Sequence, residues 1–356
     1  MNAAADLARL PALLLPWFAA NARDLPWRRD REPYHVWLSE IMLQQTRVEA
    51  VKGYYARFLA ALPDLPALAA ADMETLRKLW EGLGYYSRVR NLHAAAVQIM
   101  TEHGGVFPSE YAAIRALRGV GDYTAGAIAS ICFGLPTPAV DGNVLRVVAR
   151  LTGDTRPVTD AACRNAFREA LRAVYPPGRC GDFTQALMEL GAVVCVPGGA
   201  PACSLCPAAD FCAARDGLWR TIPVRAAKKA RRQEALTVLA LRCAGALALR
   251  RRPERGLLAG LWEMPNLPGH LEPQEALDQA QRWGLAPAGL TGESRRSHIF
   301  THVEWDMRCY YLECRRQSGD FFWADEGDLQ RRVALPSAFR KLLPGPAPAP
   351  CAAGLD

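Results

Sequence analysis

Residues 117–134 read LRGVGDYTAGAIASICFG. Two glycines, Gly119 and Gly121, bracket the apolar Val120 between two runs of helical spacing. Glycine tolerates positive φ and close backbone approach, so the stretch predicts helix, tight turn, helix. The N–H groups of such a turn, at the mouth of the second helix, can hold a phosphate oxygen. A packing corner between two helices explains the glycines equally well, so the surroundings decide.

Those surroundings are helical. Residues 7–215 read as helices almost throughout. The segment PYHVWLSEIMLQQTRVEAVKGYYARFLAALP, residues 33–63, places Val36, Trp37, Ile41, Val48, Val51, Tyr55 and Phe58 at helical intervals. Residues 72–104 predict two more helices, with Asp72 as an N-cap and a break at GLGYY. Past residue 220 the texture changes. PVRAAKKARRQ is a basic connector. ALTVLALRCAGALALRRRP, residues 235–253, predicts a β-hairpin turning at Cys-Ala-Gly, and residues 294–315 predict two further strands. Short helices are expected at 272–284 and 335–343. The expected organisation is a mostly α-helical region over 1–220, a basic linker over 221–234, a small α+β domain over 235–343 and a Pro/Ala-rich disordered tail over 344–356.

Composition narrows the class. The chain has 356 residues and a formal charge of +7, with only five lysines among its 43 basic residues. Arginine binds phosphate in a planar, two-pronged manner, so an anionic partner is favoured. No apolar run approaches the roughly 20 residues of a spanning helix, which argues against a membrane protein. The apolar run LPALLLPWF near the N-terminus contains two prolines and lacks a basic flank, so it is not read as a signal peptide. A cytoplasmic monomer is expected, where disulfides are rare.

Four cysteines crowd into eighteen residues at Cys195, Cys203, Cys206 and Cys212, with gaps of seven, two and five. Zinc sites usually pair short knuckles, and only one pair here has that spacing. Three close thiols with a fourth upstream suit a four-iron cluster, [4Fe–4S], wrapped by a loop with Gly198, Gly199 and Pro207. Zinc and four unliganded thiols remain the alternatives.

Two carboxylates stand out. Glu40 sits inside an apolar stretch, where desolvation raises a carboxyl pKa and suits a general acid; a glutamate on the polar edge of an amphipathic helix is the alternative. Asp141 precedes a helix, followed by Gly142 and Asn143. It reads as an N-cap, or as a charge kept by backbone N–H bonds to face a developing cation. Gln44 and Gln45 are flat, polar and long, suited to base edges or a base stack.

Together the motifs LPWR, PYHVWLSEIMLQQTRV, LWEGLGYYSRVRNLH, LRGVGDYTAGAI, VDGNVLRV and the cysteine cluster resemble the helix–hairpin–helix DNA glycosylases, most closely the MutY-type adenine DNA glycosylases. The resemblance covers nearly the whole chain. It implies removal of adenine opposite 8-oxoguanine or guanine in duplex DNA. It makes Glu40 the acid that protonates the adenine imidazole nitrogen, and Asp141 the group that stabilises the oxocarbenium-like sugar or transiently bonds to it. Asn143 then orients these groups and Tyr123 sits by the sugar. Gln44 and Gln45 contact the base stack, and Gln45 and Tyr85 fill it after the base is flipped. Gly119 and Gly121 meet the backbone, and the four cysteines hold the cluster. Strand-cutting relatives resembling endonuclease III carry a lysine where this chain has Tyr123, so base removal alone is implied.

The C-terminal domain resembles a Nudix fold without its acidic magnesium helix. It is therefore expected to read the oxidised base, through Phe300, Thr301 and His302, with His298 close by. The first cysteine gap is one residue longer than the family's usual six. Two other readings stand beside the glycosylase: a bifunctional glycosylase/lyase, and a non-catalytic iron–sulfur DNA-binding protein in which Glu40 and Asp141 are dispensable.

Overall fold

The computed structural model describes residues 7–225 and 230–343. In chain order its elements are α1 (Leu10–Asn21), α2 (Pro33–Leu43), α3 (Val48–Ala61), α4 (Leu65–Ala70), α5 (Met73–Leu79), α6 (Ser87–Glu102), α7 (Tyr111–Ala116), α8 (Asp122–Phe133), α9 (Gly142–Thr152), α10 (Ala161–Arg172) and α11 (Cys180–Val193). There follow β1 (Arg232–Cys243), β2 (Ala246–Arg251), β3 (Trp262–Glu263), β4 (Asn266–Pro268), α12 (Pro273–Arg282), β5 (Pro287–Ile299), β6 (Val303–Cys314), β7 (Phe322–Ala324), α13 (Glu326–Arg331) and α14 (Ser337–Arg340). Among the described residues no helix is long and apolar enough to cross a membrane. The tail over 344–356 and residues 226–229 of the expected linker lie outside the described residues.

The described chain forms two compact units, residues 7–71 with 90–225, and residues 72–89 with 230–343. The first is all helical. Its larger core joins Leu10 and Leu14 of α1, Val144, Val147 and Val148 of α9, Phe167 of α10, and Phe183, Leu187 and Leu190 of α11. These side chains recur at three- and four-residue intervals, which puts them on one face of each helix. A smaller cluster joins Val36 of α2 to Ala127 and Ile131 of α8.

Helical spacing suggests one run through Gln44 and Gln45, but α2 stops at Leu43. Gln44 closes it with φ −58° and ψ 110°, and Gln45 has φ 59°. A left-handed residue cannot continue a right-handed helix, so both glutamines stand in a turn rather than on a helix.

The second unit is a mixed sheet in the order β3-β2-β1-β6-β5, with β4 also paired to β1 and β7 to β2. β1 and β6 run parallel, from Arg232↔Val303 to Arg242↔Glu313. Alternating residues of β6 are buried, as a sheet face packed on a core requires. The β1–β2 turn is two residues rather than three: Cys243 pairs with Ala246, and Ala244 and Gly245 both take positive φ. That is the twist-matching hairpin turn.

The sequence reading drew a single division at 221–234, and residues 72–89 cross it. There Asp72 caps α5, accepting from Glu74 N and Thr75 N at 2.9 Å each. Glu74 pairs with Arg251 at 2.6 Å, and Lys78 Nζ donates to Leu329 O at 2.8 Å.

Candidate active site

In the first unit a cavity of about 520 Å³ is lined by Glu40, Gln44, Gln45, Tyr123, Asp141 and Asn143 together. Glu40 comes from α2, whose residues from Val36 to Met42 are all buried. That burial pushes Glu40 up to about 7; nearby Asp141 adds to the rise, while the Tyr123 hydrogen bond and Arg28 oppose it. Tyr123 Oη donates to Glu40 Oε2. Burial, with Glu40 beside it, raises the Tyr123 phenol well above its ordinary value, so it stays a neutral donor.

Asp141 is the N-cap of α9 and lines the cavity as well. Its carboxylate accepts from Val144 N at 2.7 Å and from Asn143 Nδ2 at 2.8 Å. Those bonds do not overcome burial, which leaves Asp141 raised above an ordinary aspartate. Asp141 nevertheless has donors from Val144 and from both backbone and side chain of Asn143, against one for Glu40. Of the pair, Asp141 is the better seat for negative charge and Glu40 for the proton.

Asn143 is itself held. Its Oδ1 accepts from Arg146 Nη2 at 2.9 Å. A Cβ on Gly191 would stand 2.6 Å from Asn143 Cβ, so only glycine lets α11 pass here. The buried Arg146 also donates to Gly191 O at 2.7 Å and to Cys195 O at 2.8 Å. Three hydrogen-bonded links thus join the start of the cysteine loop to the Asp141 carboxylate.

The same cavity is lined by Glu189 on α11, fully buried. It accepts from Arg23 Nε and Nη2 at 2.7 Å each and from Arg28 Nη2 at 2.8 Å. Burial alone would raise it, but the two guanidinium groups hold it at about 2. Arg23, Trp27, Arg28 and Glu189 all line the cavity, and residue-by-residue reading did not single them out. Two signals were available: Arg28 of LPWR with Arg23 just before it, and a glutamate on the apolar α11.

Cys195, Cys203, Cys206 and Cys212 line a second cavity of about 30 Å³ with Leu190, Pro201 and Trp219. Among the described residues no three His, Cys, Asp or Glu side chains converge as ligands of one ion. Arg150, one turn beyond Arg146, secures the loop. It donates to Cys195 Sγ at 3.3 Å, Val196 O at 3.1 Å, Ile222 O at 3.0 Å and Trp219 O at 3.1 Å. Arginines at i and i+4 amid Val144, Val147 and Val148 were the unread sign of this buried scaffold. Cys180 does not line that cavity; its thiol donates to Pro176 O.

Gly119 and Gly121 stand outside the large cavity and differ in task. Gly119 has φ 76°, and a Cβ there would stand 2.5 Å from Asn91 Cβ. Gly121 is extended, and a Cβ on it would meet nothing within 4 Å. Packing needs the first glycine; the second leaves the turn open to approach.

The other predicted residues lie in the second unit. Phe300 N donates to Val303 O at 2.8 Å, closing the β5–β6 turn with Thr301 and His302 exposed at its tip. Phe300 itself packs between His298 and Trp305, with ring centroids at 4.5 and 4.8 Å. Tyr85, with φ 46°, joins the tip through a 2.9 Å bond between its hydroxyl and Thr301 Oγ1.

Residues 38–173 match the HhH-GPD superfamily base excision DNA repair protein, and residues 237–344 match the NUDIX domain. The chain is 36% identical to the adenine DNA glycosylase of Mus musculus, over 86% of this chain and 71% of that one. It is equally identical to the Homo sapiens adenine DNA glycosylase, over 88% and 69%. A thermostable thymine-DNA glycosylase superposes on 59% of this chain and 96% of its own, with a TM-score of 0.53 and 28% identity.

Proposed function

The chain belongs to the adenine DNA glycosylases, and from that premise we propose that it removes adenine paired with 8-oxoguanine or guanine in duplex DNA, without cutting the strand. The observation that carries the mechanism is the cavity shared by Glu40 and Asp141, with Glu40 pushed up to about 7. A flipped adenine enters that cavity. Tyr123 occupies Glu40 Oε2, so the transferable proton sits on Oε1 and passes to the adenine imidazole nitrogen. The bond from C1′ to the base breaks with its electron pair going to the protonated adenine. Asp141, held by Val144 and Asn143, faces the positive sugar. Water then adds to C1′ and releases a proton.

Tyr123, a neutral phenol at the position where a lyase places its lysine, forms no imine, which supports base removal alone. Glu189 with Arg23 and Arg28 supplies a fixed polar wall for the base edge. Four thiols around one cavity suit a [4Fe–4S] group, each corner of which takes one thiolate. When bound, that group supplies a cross-link for the loop over 195–212. In the second unit Thr301 and His302 at an exposed tip suit contact with the oxidised base, and Tyr85 suits the stack. The working form is a monomer in the cytoplasm.

The test is incubation with a duplex carrying adenine opposite 8-oxoguanine, followed by alkali. Cleavage at the adenine position only after alkali is expected. Strand cutting without alkali, or a borohydride-trapped cross-link, would instead favour the lyase.

A further inference from the structure

The residue that follows the open glycine of the hairpin is acidic. Asp122, first in α8, lies where an approaching DNA phosphate meets like charge. It is not bare. Arg115 of α7 donates from Nε to Asp122 Oδ1 at 2.6 Å, and Arg168 of α10 donates from Nη2 to Asp122 Oδ2 at 3.0 Å. Each carboxylate oxygen thus takes one guanidinium, as two oxygens of a phosphate would. Asp122 and Arg115 are nearly half exposed, so water and DNA reach this cluster.

The two arginines are held differently. Arg115 also donates from Nη1 to Val120 O at 2.9 Å, which ties it to the hairpin backbone. Among the described residues Arg168 is otherwise bonded only to Asn165 on its own helix, at 3.0 Å. Arg168 can therefore leave Asp122 without disturbing the turn, and Arg115 cannot.

We propose that Asp122 is an internal stand-in for a DNA phosphate, holding Arg168 in place while the hairpin is empty and surrendering it to the duplex backbone on docking. Asp122 then sets how strongly, and with what salt dependence, the chain grips DNA. Without it the freed guanidinium would hold non-target duplex more tightly and slow the search for a mispair. Asp122 is a positioning residue: it does not line the bond-breaking cavity, although its chain neighbour Tyr123 does. The proposal rests on the reading of the hairpin as a phosphate contact.

The experiment titrates a fluorescently labelled undamaged duplex across a salt series with wild type, D122N, R168Q and the double variant. D122N should bind roughly three- to tenfold tighter at low salt, with a slope of log affinity against log salt steeper by up to about one. Adding R168Q should cancel both changes, which a merely structural aspartate would not allow. Thermal unfolding monitors the fold. Asp122→Ser carries the same expectation should D122N unfold. A folded D122N with wild-type affinity and slope, or a tightening that persists in the double variant, overturns the proposal alone. A wild type without salt-dependent duplex binding sinks the hairpin reading itself.

Discussion

Two helices that line the large cavity, α2 and α11, each bury a glutamate and treat it in opposite ways. On α2, Glu40 has a tyrosine hydroxyl and no ion pair among the described residues, and burial lifts it to about 7. On α11, Glu189 has two arginines, and they hold it at about 2. Burial is common to both; the partner decides. The first arrangement keeps a proton ready for transfer at neutral pH, and the second fixes a charge. Glu263 in the second unit is another buried glutamate with two arginine partners. It is buried, paired with Arg250 at 2.9 Å and with Arg252, and accepts from Asn266 Nδ2 at 2.8 Å. A buried carboxylate is therefore not a catalytic sign until its counter-charges are known.

The largest test of this contrast is Glu40→Gln. It keeps the shape and removes the proton, so single-turnover adenine removal should fall about a hundred- to ten-thousand-fold while duplex binding stays near wild type. A mutant within about threefold of the wild-type rate would remove Glu40 from the chemistry.

Next is the pH profile. The protonated form of Glu40 is the active one, so the single-turnover rate should be level well below pH 7 and drop about tenfold per unit above it. A rate that rises through this range would assign Glu40 as a base.

Stability should separate the two glutamates by sign. The folded-state value of Glu40 lies above its ordinary 4.5, so wild type loses stability as pH rises from there to about 7. Glu40→Gln escapes that loss and should melt higher than wild type at pH 8. The value of Glu189 lies below 4.5, so its contribution is present above that pH and is lost as pH falls through about 2. Glu189→Gln should cost roughly 1–3 kcal/mol at pH 7, discounting for the part-exposed Arg23, and progressively less in acid. Urea unfolding at several pH values measures both. Equal signs would break the comparison.

The smallest effect belongs to Tyr123→Phe. Tyr123 lowers the value of Glu40, so removing its hydroxyl should move the falling limb of the pH–rate profile upward by about one unit. An unmoved limb would mean that the hydroxyl acts elsewhere.

Much of this was readable beforehand, for definite reasons. Gly119 announced a turn because few other residues tolerate its positive φ. Four thiols in eighteen residues announced a shared task, and the structure sets them around one cavity. The change from helical to alternating spacing past residue 220 marked the sheet. Glu40 was conspicuous because a charge inside an apolar run is costly. Gln44 and Gln45 were misplaced on a helix because spacing says nothing of the left-handed φ at Gln45. Phe300 was grouped with Thr301 and His302, and sequence could not say that its ring packs between His298 and Trp305.

What the sequence determined by itself was therefore local: which segments are helix or strand, where the chain must turn, and which side chains pay to be buried. Those follow from steric and solvation preferences of neighbouring residues. What only the tertiary structure decided was pairing across the chain. Nothing near Glu189 in sequence says that Arg23 and Arg28, more than 160 residues earlier, neutralise it. Nothing in VDGNVLRV says that Arg146 reaches Cys195, or that α11 must bring Gly191 against Asn143. Electrostatic energy depends on distance in space and on surrounding dielectric, and both are set only when the helices pack.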